Sequence, residues 1–192
     1  HKEFTQSGDR VSIVGGGFAI TTVTAINQSE EGGVVRVYEP STDRINAIAK
    51  TVTANGIAQW GGELSHTVVG NLSPQEELNR EGLMETVPAL EPSALPECDV
   101  LELDCEGAEV NILKNLDIRP RMIFVEVHPK KLTMDATEVS RHLKQNGYCI
   151  ISYRTHNGDK ISEDTYKNLI KSSYFTERNI IDKETPTKIK NR

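Results

Sequence analysis

The chain has 192 residues, of which 36% are hydrophobic and 26% are charged, and its 22 basic and 28 acidic residues give a net charge of −6. A chain of this length is one ordinary domain that buries a sizeable core. Its apolar runs stay well short of the ~20 residues that a membrane-spanning helix needs, so no membrane span is predicted. The negative balance repels phosphate backbones, which argues against nucleic acid as the main partner.

The cysteines point to a reducing compartment. Cys98, Cys105 and Cys149 are an odd number and lack the paired spacing of zinc ligands. Neither a structural zinc site nor a disulfide framework is therefore predicted, and the cytoplasm is the expected location.

The first half of the chain alternates strand and helix patterns. Residues 11–14 form a short apolar run before three glycines, and residues 18–26 are apolar enough for a buried helix. Residues 34–38 predict the second strand, and apolar side chains recur with helical spacing over residues 45–52. The sequence therefore predicts a βαβα opening.

The second half continues the alternation. Further strands are predicted at residues 66–72, 100–103, 122–127 and 148–153, and a last strand at 172–182 is predicted to pair antiparallel with its predecessor. Helices are expected to begin at Ser73, after Gly107 and at Asp135, and prolines make residues 88–96 an extended connection. These elements predict a single α/β domain over residues 1–182, with one mostly parallel sheet between helices, and a polar tail at 183–192.

The glycine run at Gly15, Gly16 and Gly17 predicts a ligand-binding turn between a strand and a helix. Glycine lets the backbone approach a ligand closely, and the helix start offers unpaired N–H groups. Glu39 follows Gly17 by 22 residues at the end of the second strand, where a carboxylate can accept hydrogen bonds from both ribose hydroxyls of an adenosine cofactor. A tight turn beside a solvated glutamate is the simpler alternative.

The turn alone leaves the cofactor open. Flavin and nicotinamide domains place a third glycine where Ile20 stands here. The methyl-donor pattern of glycine, any residue, glycine, any residue, small residue is satisfied by Gly15, Gly17 and Ala19.

Two further segments carry a family resemblance. Residues 100–109 (VLELDCEGAE) and 124–129 (FVEVHP) resemble the paired signatures of FkbM-type S-adenosylmethionine-dependent methyltransferases. The resemblance extends over about residues 7–153. It implies a Rossmann-like methyltransferase fold with a mostly parallel seven-stranded sheet and an antiparallel last strand. It also implies methyl transfer from S-adenosylmethionine, commonly to an oxygen of a sugar or natural product.

The resemblance also assigns cofactor-binding residues by position. Gly15 and Gly17 would line the methionine part of S-adenosylmethionine, Glu39 would hold the ribose, and Asp104 would lie near the methionine end. The neighbouring positions Gly16, Phe18 and Pro40 complete the predicted cofactor set. For Asp104, an N-cap of the following helix is the structural alternative.

His128 is the predicted catalytic base, because it follows a central strand and its imidazole titrates near neutral pH. A hydrogen-bonded structural histidine is the alternative. Glu106 and Glu126 are further catalytic candidates that would orient the acceptor. Binding of a hard cation by these two carboxylates together with Asp104 is the weaker alternative. No metal site is predicted, because strand alternation is expected to send Glu126 and its strand neighbours to opposite faces.

Three functions therefore stand at the level of sequence. The first is an S-adenosylmethionine-dependent O-methyltransferase acting on a small molecule or sugar. The second is a flavin- or nicotinamide-binding oxidoreductase. The third is a non-catalytic cofactor-binding module, suggested because Ile13, Gly17 and Ala19 depart from the family pattern at the first turn.

Overall fold

The predicted βαβα opening is confirmed. The computed structural model describes residues 4–30, 32–57, 62–70, 87–105, 107–128, 137–155, 158–171 and 177–183. The opening comprises β1 (Arg10–Val14), α1 (Ile20–Ser29), β2 (Val34–Tyr38) and α2 (Thr42–Ala54). Helix α2 begins where the Ser41 side chain accepts a hydrogen bond from the Arg44 N–H. This N-cap satisfies one of the orphan amides at the helix start.

The predicted strand at residues 66–72 is confirmed only at Val68–Val69, and residues 71–72 lie outside the described residues. Strand β3 lies earlier, at Glu63–Ser65, and pairs in parallel with β2. The following β4 (Val68–Val69) pairs in parallel with β5 (Ala89–Leu90) in a separate two-stranded sheet. The helix expected from Ser73 lies outside the described residues.

The predicted strands and helices that remain occur in the predicted order, together with a 3-10 turn at residues 92–94, a strand at 160–161 and a helix at 163–171 that were not predicted. They are a 3-10 turn (Pro92–Ala94), β6 (Val100–Leu103), α3 (Glu109–Lys114), β7 (Met122–Val127), α4 (Thr137–Gln145), β8 (Tyr148–Thr155), β9 (Lys160–Ile161), α5 (Glu163–Lys171) and β10 (Glu177–Lys183). From residue 184 onward, the predicted tail lies outside the described residues.

The main sheet has the spatial order β3-β2-β1-β6-β7-β10-β8-β9. Its first five strands are a contiguous parallel block, and β10 runs antiparallel between β7 and β8, as expected for the last strand. The expected count of seven is wrong, because the main sheet has eight strands among the described residues. The additional strand, β9, folds back on β8 through a turn in which the Thr155 N–H donates to the Asp159 carbonyl.

Helices cover both faces of this sheet, as predicted. Val11 and Ile13 of β1 pack with Ala25 of α1 and Ile48 of α2 on one face. Alternate strand residues face a second cluster, which α3, α4 and Tyr166 of α5 complete. Among the described residues, no helix has both the length and the apolar character needed to cross a bilayer.

The strand order brings four carboxyl ends together. Strands β2, β1, β6 and β7 are consecutive and parallel in the sheet. Side chains that follow these strands therefore lie along one edge, where ligands bind in open α/β sheets.

Substitution of Ala19 and of Ala25 by glycine is expected to change the free energy of unfolding by different amounts. It lies immediately before α1 with a φ of 70°, and Ala25 lies within the helix, while both side chains are 0% exposed. A left-handed alanine is strained by about 1–2 kcal/mol, which glycine relieves, and loss of the buried methyl group costs about 0.8 kcal/mol. At Ala25, glycine loses the methyl group and also about 1 kcal/mol of helix propensity.

We therefore expect Ala19→Gly to stay within about 1 kcal/mol of the parent and Ala25→Gly to lose about 2 kcal/mol, measured by urea unfolding. Equal losses at the two positions would show that Ala19 does not adopt the left-handed conformation.

Candidate functional site

The glycine turn packs tightly against two neighbouring strands. Gly15 has a φ of +89°, its N–H donates to the Tyr38 carbonyl at 2.9 Å, and a Cβ there would lie 1.9 Å from the Asp104 carbonyl oxygen. A Cβ at Gly16 would come within 2.6 Å of the Val37 and Ile48 side chains. Side chains are therefore excluded at both positions by contact with the core.

Gly17 and Phe18 lie on the open side of the turn. A Cβ at Gly17 would meet no atom within 4 Å, although its φ of +51° favours glycine. The Phe18 side chain is 74% exposed. The turn thus presents backbone, together with one apolar side chain, to the space beyond the sheet edge.

Glu39 links the glycine turn to α2. Its carboxylate is 1% exposed and accepts hydrogen bonds from the Gly17 N–H at 3.2 Å and the Ser41 N–H at 2.9 Å. Burial raises the pKa of Glu39 above its ordinary value, and the backbone amides of Ser41, Gly17 and Gly16, together with Arg44, act in the opposite direction. Because a carboxylate has about four lone-pair sites, Glu39 keeps capacity for a further donor.

A narrow cleft, partly open to solvent, runs from Glu39 to the end of β6. Four of the predicted cofactor residues line it: Gly15, Glu39, Pro40 and Asp104. Sequence reasoning missed Arg44 and Cys105, which also line the cleft. Arg44 lies at the start of α2 and Cys105 follows the end of β6, and no local sequence pattern indicates that these positions line a cleft.

Asp104 and His128 lie at the far end of this edge. The Asp104 N–H donates to the Val14 carbonyl at 2.9 Å, which ties the end of β6 to β1. The N-cap of α3 is Ala108, so the structure does not bear out the N-cap role of Asp104. His128 Nε2 lies 3.9 Å from Asp104 Oδ1 and 4.0 Å from Glu126 Oε1.

Glu109 is a site residue that the predicted set omits. Its side chain is 0% exposed, and its Oε1 accepts hydrogen bonds from the Cys105 N–H at 3.2 Å and the Gly107 N–H at 3.1 Å. The same oxygen lies 4.0 Å from His128 Nδ1, and Oε2 has no hydrogen-bond partner among the described residues. The closely spaced acidic residues of segment 104–109 were the sequence signal that could have identified Glu109 as a site residue.

Asp104, Glu126 and His128 also form a group whose ligand atoms all lie within 4.8 Å of one another. The expectation that strand alternation would separate them is wrong. Glu126 and His128 are two positions apart, which places them on the same side of the extended chain, and Asp104 ends the adjacent strand β6. Glu106 lies outside the described residues.

A family comparison decides the class of protein. A model described as the methyltransferase FkbM domain matches residues 14–150, well over half of the chain. The chain belongs to the FkbM methyltransferase family. Residues 14–150 include the glycine turn, Glu39, Asp104, Glu109 and His128. A search of curated proteins gives no match.

Solved structures similar to this FkbM-family chain share its fold at low identity. It matches a precorrin-6y C5,15-methyltransferase of Geobacter metallireducens at 16% identity and a TM-score of 0.55, over 95% of this chain and 83% of that one. A protein of Clostridium thermocellum assigned as an rRNA methylase gives 13% identity, a TM-score of 0.55 and coverages of 95% and 90%.

The tRNA methyltransferase TrmK of Bacillus subtilis gives 11% identity and a TM-score of 0.52. The alignment covers 95% of this chain but only 63% of TrmK. At these identities the likeness shows a shared Rossmann-like methyltransferase fold.

Proposed function

We propose that this FkbM-family protein transfers a methyl group from S-adenosylmethionine to a hydroxyl oxygen of a small molecule or sugar. The observation that carries the proposal is the buried Glu39 carboxylate, which holds the glycine turn and lines a cleft that continues to Asp104. Family membership implies this methyl donor in general.

The residues of the cleft fit such a donor. Glu39 has acceptor capacity left for a ribose hydroxyl, and Gly17 leaves open space beside it. The neighbouring turn residues Gly15, Gly16 and Phe18, with Pro40 after β2, complete the side on which the nucleoside is proposed to bind. Asp104 would offset the positive charge of the methionine end, where partial exclusion of water strengthens the attraction.

S-Adenosylmethionine supplies a methyl group activated by its sulfonium. A bond forms between the acceptor oxygen and the methyl carbon while the sulfur–carbon bond breaks, leaving a neutral thioether. We propose that His128 accepts the proton released from the hydroxyl, since Asp104, Glu126 and Glu109 lie within 4.0 Å of its ring and stabilise the imidazolium that forms. Glu126 and, by sequence position, Glu106 are proposed to orient the acceptor.

A small-molecule acceptor agrees with the net charge of −6, which opposes a nucleic acid. The precorrin and RNA methyltransferases among the structural neighbours show that this fold serves chemically different acceptors. The choice of acceptor therefore depends on the side chains of the site and not on the fold. The free thiols of Cys98, Cys105 and Cys149 agree with the proposed cytoplasmic location.

Calorimetric titration with S-adenosylhomocysteine tests the role of Glu39. The parent protein is expected to bind one molecule per chain, and Glu39→Ala is expected to bind at least about 10-fold more weakly, because charge-assisted hydrogen bonds to the ribose are lost. Glu63→Ala is the matched control, since it removes a 71% exposed carboxylate at the edge of the same sheet. Its affinity should equal that of the parent.

Parent-like affinity of Glu39→Ala would contradict the proposed ribose contact. Binding of NAD or FAD by the parent in place of S-adenosylhomocysteine would favour an oxidoreductase instead.

The raised pKa of Glu39 predicts a pH dependence of this binding. The ionised carboxylate is the stronger acceptor for a ribose hydroxyl, so affinity falls as the pH drops through the pKa of Glu39. Because burial raises that pKa, the decline begins above the ordinary carboxyl range near 4.5. Titrations from about pH 7.5 to 5 should show the decline in the parent and lack this component in Glu39→Gln. An equal decline in both proteins would assign it to another group.

A further inference from the structure

We infer that Asp104, Glu126 and His128 bind one divalent transition-metal cation. The three side chains are half-buried at the carboxyl ends of β6 and β7, and their ligand atoms lie within 4.8 Å of one another. The inference goes beyond methyl transfer, and cation binding itself does not depend on that activity.

The spacing of the ligand atoms suits a single ion. Atoms bound to one ion by bonds of about 2.1 Å lie roughly 3 to 4.2 Å apart, depending on the coordination geometry. His128 Nε2 is 3.9 Å from Asp104 Oδ1 and 4.0 Å from Glu126 Oε1. Small side-chain rotations therefore bring all three donors onto one ion without backbone movement.

The orientation of His128 provides the second observation. Its Nε2 faces the two carboxylates, whereas its Nδ1 faces the fully buried Glu109 on the other side of the ring. A buried carboxylate behind a ligating histidine fixes the tautomer that carries its proton on Nδ1 and directs the Nε2 lone pair at the metal. Glu109 Oε1 is anchored by two backbone amides and lies 4.0 Å from Nδ1, so a small shift of the ring on cation binding brings the two atoms within hydrogen-bond distance.

The buried oxygen of Glu109 supports the same arrangement. Glu109 Oε2 has no hydrogen-bond partner among the described residues, although its side chain is 0% exposed. An unsatisfied buried carboxylate oxygen costs free energy unless a positive charge lies close by. A cation on the far side of His128 places a positive charge near the Glu109 carboxylate, whose Oε1 lies 4.0 Å from the ring.

The donor set indicates the class of metal. One imidazole nitrogen with two carboxylate oxygens favours first-row transition ions such as Mn²⁺ or Zn²⁺ over Ca²⁺, which prefers oxygen ligands alone. With only three protein ligands, a position stays open for an exogenous oxygen.

The consequence for catalysis rests on the proposed function. An acceptor hydroxyl in the open position loses its proton to solvent more readily, because coordination to the cation lowers the pKa of that hydroxyl. The resulting oxygen then forms the bond to the methyl carbon. Because the ion occupies Nε2, His128 is a ligand in the cation-bound protein and the proton acceptor in the cation-free protein.

A Mn²⁺ titration of chelator-treated protein tests the site, with the electron paramagnetic resonance signal of the free aquo ion as the measure of unbound metal. We expect one Mn²⁺ per chain, displaced by Zn²⁺. Glu126→Gln and His128→Gln should each weaken binding at least about 10-fold. Asp117→Asn, which removes one exposed carboxylate elsewhere, should bind as the parent does.

S-Adenosylhomocysteine affinity is measured on the same proteins to show that they are folded, and we expect it unchanged in Glu126→Gln. Failure of the parent to bind Mn²⁺ with a Kd below about 1 mM, or parent-like binding by Glu126→Gln, would overturn the inference. If the parent binds S-adenosylhomocysteine but not Mn²⁺, only the inferred cation site is contradicted. If the parent binds Mn²⁺ but not S-adenosylhomocysteine, only the proposed methyl transfer is contradicted.

Discussion

Replacement of Gly15 by alanine is expected to destabilise the protein by about 2–5 kcal/mol. The added Cβ would lie 1.9 Å from the Asp104 carbonyl oxygen, so the end of β1 has to move away from the end of β6. The positive φ of 89° adds about 1–2 kcal/mol of backbone strain, and overpacking against backbone adds about 1–3 kcal/mol. The movement also strains the hydrogen bond from the Asp104 N–H to the Val14 carbonyl.

Gly17→Ala is the matched control for this prediction. It has a positive φ of 51° but no atom within 4 Å of the added Cβ, so only the strain of about 1–2 kcal/mol applies. Urea unfolding of the two variants should therefore separate close packing from backbone conformation. Equal losses would show that the ends of β1 and β6 are not in contact.

Replacement of His128 by glutamine is expected to lower kcat by about 10²–10⁴-fold while leaving S-adenosylhomocysteine affinity within about twofold of the parent. The reduction is expected with or without added Mn²⁺, because His128 either accepts the proton of the hydroxyl or holds the cation that lowers the pKa of that hydroxyl. Release of S-adenosylhomocysteine is followed over a panel of hydroxylated sugars and phenols. Kinetic constants are then determined with the acceptor that gives the fastest turnover.

His142→Gln controls for the loss of an imidazole in general. His142 Nε2 lies 2.9 Å from the Leu113 carbonyl oxygen, on α4 and away from the carboxyl ends of β6 and β7. Its variant should keep the parental kcat. If His128→Gln also kept it, neither proposed role of His128 would stand.

The sequence predicted the parts of the site that depend on strand ends. Gly15, Glu39, Asp104 and His128 each follow a short apolar strand, and parallel strands place such positions along one edge. The spacing of hydrophobic residues and the positions of the glycines were enough to predict that these residues lie along one edge of the sheet. The same patterns predicted the antiparallel last strand, which β10 confirms.

Features that depend on contacts between distant segments were missed. The grouping of Asp104, Glu126 and His128 depends on which side of the sheet edge each side chain takes, and a single strand pattern does not fix that choice. Glu109 belongs to the site because its carboxylate turns back to the amides of Cys105 and Gly107. Strand β9 is only two residues long, so it carries too little periodicity to be predicted.

The most direct test of the account is a crystal structure grown with S-adenosylhomocysteine. We expect the ribose hydroxyls within hydrogen-bond distance of the Glu39 carboxylate and the thioether sulfur toward Asp104 and His128. A ligand bound elsewhere, or a cleft between Gly15 and Glu39 that stays empty at saturating ligand, would contradict the account.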